Sequence, residues 1–264
     1  MTEVDLRGVL YPSRLPSFHR EPAPEALAHL LRWVWVPRWE LAPGQRLVEE
    51  ILPFPASNLV VEPDGVTLYG PTTGVSTRVL EGSGWAVGAL LRPASLSRLG
   101  TAPASIRGGA CPVVDADLHR RVVAAMEDAD AQEGGRRAAA LLIAWVAECG
   151  EAASSAALVA NDMEDLIATD RSIIRVEQVA ERLGTSVRSV QRMAERFIGL
   201  PPLAVIRRYR LQEAAQRLRG EPGLSIAEVA ADLGYADQAH LASDFRTVLG
   251  LTPRDYRRRH DGAR

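Results

Sequence analysis

Residues 176–249 carry one local pattern twice: a short apolar-periodic helix, a Gly-centred turn, and a second helix with a polar outer face. In the first copy Val176, Val179, Ala180 and Leu183 recur at helical spacing, Gly184-Thr185-Ser186 makes the turn, and Val187 to Phe197 forms the second helix. The second copy repeats this with Ile226, Val229, Ala230 and Leu233, the turn Gly234-Tyr235-Ala236-Asp237, and Gln238 to Leu249. Two helices joined by so short a turn form a helix-turn-helix, whose second helix fits a major groove. A tandem pair constrains the fold far more than a single match.

Charge supports the same segment. The formal net charge of -2 hides an asymmetry: residues 1–170 hold 14 Arg against 22 acids, a net of -8, whereas residues 171–264 hold 17 Arg against 11 acids, a net of +6. The cationic part is the part with the repeated motif, as a polyanionic partner requires. At 264 residues and 47% hydrophobic, the chain is long enough for two domains. No apolar run approaches the roughly 20 residues that cross a bilayer. The acidic start Met1-Thr2-Glu3-Val4-Asp5 lacks the plan of a signal peptide, so a cytoplasmic location with no membrane partner is expected. Cys111 and Cys149 are too few for a disulfide framework or a zinc knuckle; they read as incidental or buried thiols, with a redox pair as the alternative.

Along the chain, residues 1–25 are Pro-rich and aperiodic, which predicts an extended arm. From Leu30 to about Leu91 short β-type runs follow one another: Trp33 to Val36, Leu47 to Leu52, Leu59 to Val61, Val66 to Tyr69 and Trp85 to Leu91, punctuated by Gly and Pro. From Asp115 to Thr169 the period becomes helical, with Leu118, Val122, Ala125 and Met126 on one face, then Ala138 to Val146, then Ala156 to Ile167; Gly134-Gly135 and Gly150 mark predicted breaks. The Ala-rich middle helix is apolar around most of its circumference, which calls for burial in a bundle or against a partner chain. The expected fold is α+β: a small N-terminal antiparallel β barrel or sandwich (β-rich over 30–95, helical over 115–169), and an all-α C-terminal domain of two helix-turn-helix units joined by a long helix. Thr169 to Ser172 is the expected boundary, dividing the chain into 1–170 and 171–264.

Capping residues agree with the helical pattern. Ser225 with Glu228 forms a capping box, and Ser186 and Asp237 stand where they cap the two recognition helices. Between the motifs Pro201-Pro202 opens a long helix, Leu203 to Leu218, a rigid spacer that sets both recognition helices about one duplex turn, roughly 34 Å, apart. The residues Gly184-x-Ser186, Gln191-Arg192, Gly199-x-Pro201, Arg210-Leu211-x-x-Ala214, Ile226 to Arg246 and Gly250-x-Thr252-Pro253-x-x-Tyr256-Arg257 together resemble the AraC/XylS family of transcription regulators over residues 173–259. The chain departs from the family at Ala194, where a bulky aromatic is usual, with Phe197 one turn later as a substitute.

The outer stripe of the first recognition helix carries Arg188, Gln191 and Arg192, because Val190, Ala194 and Phe197 face the core. Arg reads guanine and Gln reads adenine bidentately, and the resemblance implies base contacts at these positions; an exposed Arg otherwise stays solvated or holds phosphate. The second helix presents Gln238, Ala239, Ala242 and Ser243, of which only Gln238 makes a bidentate base contact, so this face discriminates less. Ser186, Arg196, Arg246, Arg254 and Arg257 are the expected phosphate contacts. His240 reads as a structural histidine at the helix start. The run Arg257-Arg258-Arg259-His260 is either a phosphate clamp or a solvated tail.

For the N-terminal part, the order Trp33-x-Trp35, Ile51-Leu52-Pro53, Asn58 to Val61, Gly70-Pro71-Thr72 and Gly88-Ala89-x-x-Arg92-Pro93 resembles an uncharacterised, cupin-like domain found in a subgroup of these regulators. Trp33, Trp35, Tyr69, Trp85 and Arg92 are the candidate lining of an effector pocket, the alternative being ordinary core. An enzyme is disfavoured: His19, His29 and His119 are scattered, no metal triad is visible, and no phosphate loop, dinucleotide fingerprint or other cofactor motif occurs. The alternatives to effector control are a metal- or ligand-binding enzyme domain fused to a DNA-binding module, and an N-terminal part that only dimerises. The expected partners are double-stranded DNA, a small effector, a second copy of the chain, and RNA polymerase if the protein is an activator.

Overall fold

The computed structural model describes residues 17–52, 54–72 and 74–261, so most of the predicted Pro-rich arm lies outside the described residues. Its last part is ordered differently from the expectation. Ser17–Pro22 forms β1, pairing antiparallel with β2 (Leu31–Glu40) from Ser17↔Arg38 to Pro22↔Trp33. Only one side of this edge strand is covered, so half its residues stay exposed and the apolar alternation that marks inner strands is weak.

The predicted runs become β2, β3 (Arg46–Ile51), β4 (Asn58–Glu62), β5 (Gly65–Tyr69), and β7 and β8 (Ser83–Trp85, Val87–Leu91), the last run being divided at Ala86. The short strands β6 (Ser76–Glu81) and β9 (Ala110–Pro112) add to these. The main antiparallel sheet has the order β1-β2-β8-β4-β5-β9, with β7 beside the far end of β2, and β3 pairs with β6 in a separate sheet. Helix α1 (Pro93–Arg98) and a 3-10 turn (Pro103–Ile106) lead from β8 to β9.

Each face of the main sheet has its own core. On one face Val34, Val36, Leu59, Val61, Val66, Leu68, Ala89 and Leu91 pack against α2 (Ala116–Met126) and α3 (Ala131–Glu148), meeting the predicted stripe Leu118, Val122, Ala125 and Met126. Gly134 and Gly135 do not break this layer. They sit inside α3, which Asp130 caps by accepting from the backbone N–H groups of Gln132 and Glu133. A Cβ on Gly134 would strike the carbonyl of Ala125, so the glycine serves close helix–helix approach rather than a turn.

The other face carries Trp33 and Leu90, and its core is shared with the C-terminal helices. Trp33, Phe54, Ala56 and Leu90 form one cluster with Met163 and Ile167 of α4 (Ser155–Thr169) and Ile173. The same cluster takes in Val179 and Ala180 of α5 (Val176–Arg182), Val190 and Ala194 of α6 (Val187–Phe197), and Val205, Ile206 and Tyr209 of α7 (Pro202–Gly220). Leu52 joins the cluster formed by the end of α7 with α8 (Ile226–Asp232), α9 (Gln238–Leu249) and α10 (Pro253–Asp261).

A buried ionic group sits at this junction. Glu164 of α4 is 0% exposed and faces Arg32 (Nη2, 3.0 Å) and Arg92 (Nε, 3.2 Å), while the Tyr209 hydroxyl donates to its Oε1 at 2.7 Å. Arg92 also donates to Asp165 Oδ2 (2.8 Å) and the Asn161 carbonyl (3.1 Å). Burial works against the Arg32 charge, but Glu164, Tyr209 and Asp165 together outweigh it and the net shift is upward; burial first, then Glu164, holds the Tyr209 hydroxyl protonated well above the usual tyrosine range.

Candidate nucleic-acid interface

Both predicted motifs form. In the first, α5 leads through Gly184 to α6; in the second, α8 leads through Gly234 to α9. Both glycines have positive φ (60° and 68°), which the tight turn requires and other residues rarely adopt. The helix starts are fixed by side chains: the Ser186 hydroxyl accepts from the Ser189 N–H, Asp237 from the His240 N–H, and Ser225 and Glu228 exchange bonds in a capping box. The Gln178 side-chain oxygen takes the free N–H groups of Ile174 and Arg175 at the start of α5. Helix α7, roughly 28 Å long at 1.5 Å per residue, is the frame between the two units.

On α6 the buried side is Val190, Ala194 and Phe197, and Arg188, Gln191 and Arg192 are exposed on the other. Among the described residues none of these three side chains hydrogen-bonds or pairs with another. Ala194 belongs to the shared core, whereas Phe197 turns toward the N-terminal core, so the two do not fill the same space. Arg196 is exposed, its guanidinium over the Phe197 ring at 4.9 Å. Ser186 is committed to its cap and shares a second bond with the Ser189 hydroxyl.

On α9, Gln238, Ala239 and Ser243 are exposed and Ala242 is half-buried, while Leu241, Phe245 and Val248 face inward. Buried Asp244 lies beside Tyr235, which tethers α9 to α7: the Arg210 guanidinium covers its ring at 3.8 Å and His240 meets it edge-on at 5.2 Å. Burial, only partly offset by Arg210, raises the Tyr235 hydroxyl above its usual range. Arg246 and Arg254 are exposed. Arg257 differs from both, because it is half-buried and donates to the Leu224 carbonyl at 2.6 Å, bracing α10 against the start of α8. The closing run is helical in α10, and the His260 side chain lies outside the described residues.

The five residues suggested for an effector pocket are not brought together. Trp85 packs with the α2–α3 core, on the opposite face of the sheet from Trp33. Arg92 is bound into the Glu164 group and offers no free charge. Trp33, Trp35 and Tyr69 do share one face: Arg20 covers the Trp33 ring at 4.4 Å, Trp35 Nε1 donates to Asn58 Oδ1 at 3.2 Å, and Tyr69 meets Glu62 and Arg78. Arg78 comes from β6 and pairs with Glu62 of β4 at 3.0 Å, linking the two sheets across this face. Arg32, Arg107 and Glu164 carry no local sequence signal, since their partners lie 45 to 133 residues away and no local period marks them.

A family model for a helix-turn-helix domain matches residues 179–259, and a model for a domain of unknown function, DUF6597, matches residues 19–107. The HTH-type transcriptional activator RhaS of Escherichia fergusonii is 32% identical over 87 residues, covering 33% of this chain and 31% of that protein. An AraC-like transcription regulator of Streptomyces lividans is 36% identical over 83 residues, 30% of this chain and 27% of that protein. The chain therefore spans less than a third of the length of either relative. Among solved structures, the C-terminal domain of AraT, a response regulator from Geobacillus stearothermophilus, is similar over 40% of this chain and 88% of that one, with 27% identity and a TM-score of 0.38. ToxT from Vibrio cholerae covers 93% of this chain and 99% of its own, with 12% identity and a TM-score of 0.44.

Proposed function

We propose that this chain, which carries an AraC-type helix-turn-helix domain over residues 179–259, is a sequence-specific DNA-binding transcription regulator whose N-terminal part places it under the control of a small effector. The observation that carries the reading is the outer face of α6. Arg188, Gln191 and Arg192 stand exposed and unengaged on a helix whose opposite side is locked into a core, and this is the donor and acceptor set that reads guanine and adenine edges. The two units share the α7 frame and act as one reader of two groove segments. The first chooses the sequence; the second, with only Gln238 suited to a base edge, chiefly anchors through Arg246 and Arg254 to phosphates.

The division of labour follows the expected boundary: residues 171–264 bind DNA, and residues 1–170 receive the effector and dimerise. We place the effector site on the sheet face of Trp33, Trp35 and Tyr69, because that face adjoins the core shared with α6 and α7 and a ligand there acts directly on the DNA-binding helices. In vitro selection of duplex DNA by the full-length protein tests the reading. The expected product is a site with two blocks about one helical turn apart, roughly 10 base pairs, one sharply defined and one loose. Failure to enrich any sequence overturns it.

A further inference from the structure

Glu195 breaks the electrostatic logic of the first recognition helix. It lies seven residues, about two turns, beyond Arg188, and therefore on the same outer stripe as Arg188 and Arg192. Its side chain is 52% exposed. A carboxylate there faces phosphate oxygens, and it also offers Arg192, three residues back, a partner that competes with a base edge.

The N-terminal part supplies the remedy. Arg107, just past the 3-10 turn, places Nη2 2.7 Å from Glu195 Oε1 and donates from Nε to the Gly199 carbonyl at 2.5 Å. This grip is held by packing rather than by two mobile side chains meeting by chance. Gly199 has φ 79°, and a Cβ on it would fall 2.6 Å from the Pro103 carbonyl carbon, so the 3-10 turn lies directly on the end of α6. Phe197 is buried in the N-terminal core and Met193 packs against it, pinning the same stretch of helix.

We propose that Arg107 is a positioning residue for DNA recognition, which neutralises Glu195 on the reading face of α6 and leaves Arg192 free for its base. The proposal rests on the reading that α6 faces DNA. It gives the N-terminal part a direct share in sequence discrimination without touching a base.

The test is a cycle in the full-length protein, reading affinity for the selected site and for a scrambled duplex at several salt concentrations. Arg107→Ala weakens binding to the selected site about fivefold and narrows the gap to the scrambled duplex. Arg107→Lys, which keeps the charge beside Glu195 but loses the fork that also holds the Gly199 carbonyl, binds the selected site more tightly than Arg107→Ala. Glu195→Gln binds at least as tightly as the parent, and adding Arg107→Ala to it changes binding by less than about twofold. An equal loss from Arg107→Ala in both backgrounds overturns the proposal, because Arg107 then acts on DNA directly or merely supports the fold. An unchanged affinity of Arg107→Ala overturns it as well. If the parent protein itself does not distinguish the selected site from the scrambled duplex, the reading of α6 falls and the proposal with it, a failure visible before any variant is made.

Discussion

Glu164 shows how one residue ties distant parts of this chain together. Its carboxylate is sealed from solvent and receives Arg32 from β2, Arg92 from the start of α1 and the Tyr209 hydroxyl from α7. Removing one partner of a buried charged group leaves the others desolvated without compensation, which costs more than the intact group contributes. Glu164→Ala is therefore expected to destabilise the protein by about 3–5 kcal/mol in denaturant unfolding, because both guanidinium groups lose their buried partner. A loss below about 1 kcal/mol would show that Asp165 and solvent already satisfy them. None of this was legible in sequence. Arg32 and Glu164 are 132 residues apart, and each alone looks like an ordinary charge in an amphipathic element. Arg92, by contrast, stands out in sequence as a charged anchor for a ligand, but in the fold it completes an internal ion group with Glu164 and Asp165.

At the scale of elements, the helices of both motifs could be read because period and caps agree. The bounds of α6 and α9 match the expected Val187 to Phe197 and Gln238 to Leu249, since Ser186 and Asp237 stop the chain where the apolar stripe begins. The inner strands β2, β4 and β5 were equally legible as β-branched and aromatic runs. The strands β1, β6 and β9 were not. The first two are half-exposed and the third is three residues long, so little of the hydrophobic pattern survives in them. Gly134-Gly135 misled for a physical reason, since glycine marks both turns and tight helix contacts, and the local sequence does not distinguish the two. Likewise Arg257 shares its charge with Arg254 but not its direction, because only Arg257 finds a free carbonyl, that of Leu224, within reach.

At the scale of the whole molecule, the expected boundary near residue 170 separates composition and charge, but it does not separate cores. Trp33, Phe54 and Leu90 sit in one apolar cluster with Val190, Ala194 and Tyr209, and Leu52 enters the cluster of the second unit. Such sharing predicts that the two parts unfold as one body. Scanning calorimetry of the full-length protein should give a single cooperative transition; two well-separated transitions would mean that the shared core contributes little. It also means that the angle between α6 and the sheet is set by packing, so a change in the N-terminal part reaches the helix-turn-helix units without a flexible tether.

The most direct test of the central claim, that the first unit reads bases while the second anchors, is the affinity for every single-base variant of the selected site, measured with the parent protein, Arg192→Ala and Gln238→Ala. Arg192→Ala is expected to cost about 1–3 kcal/mol at the parent site and to abolish preference at one base position, while Gln238→Ala leaves the profile largely intact. Uniform weakening by Arg192→Ala across all sequences, with the base profile unchanged, would make Arg192 a phosphate contact and contradict the claim.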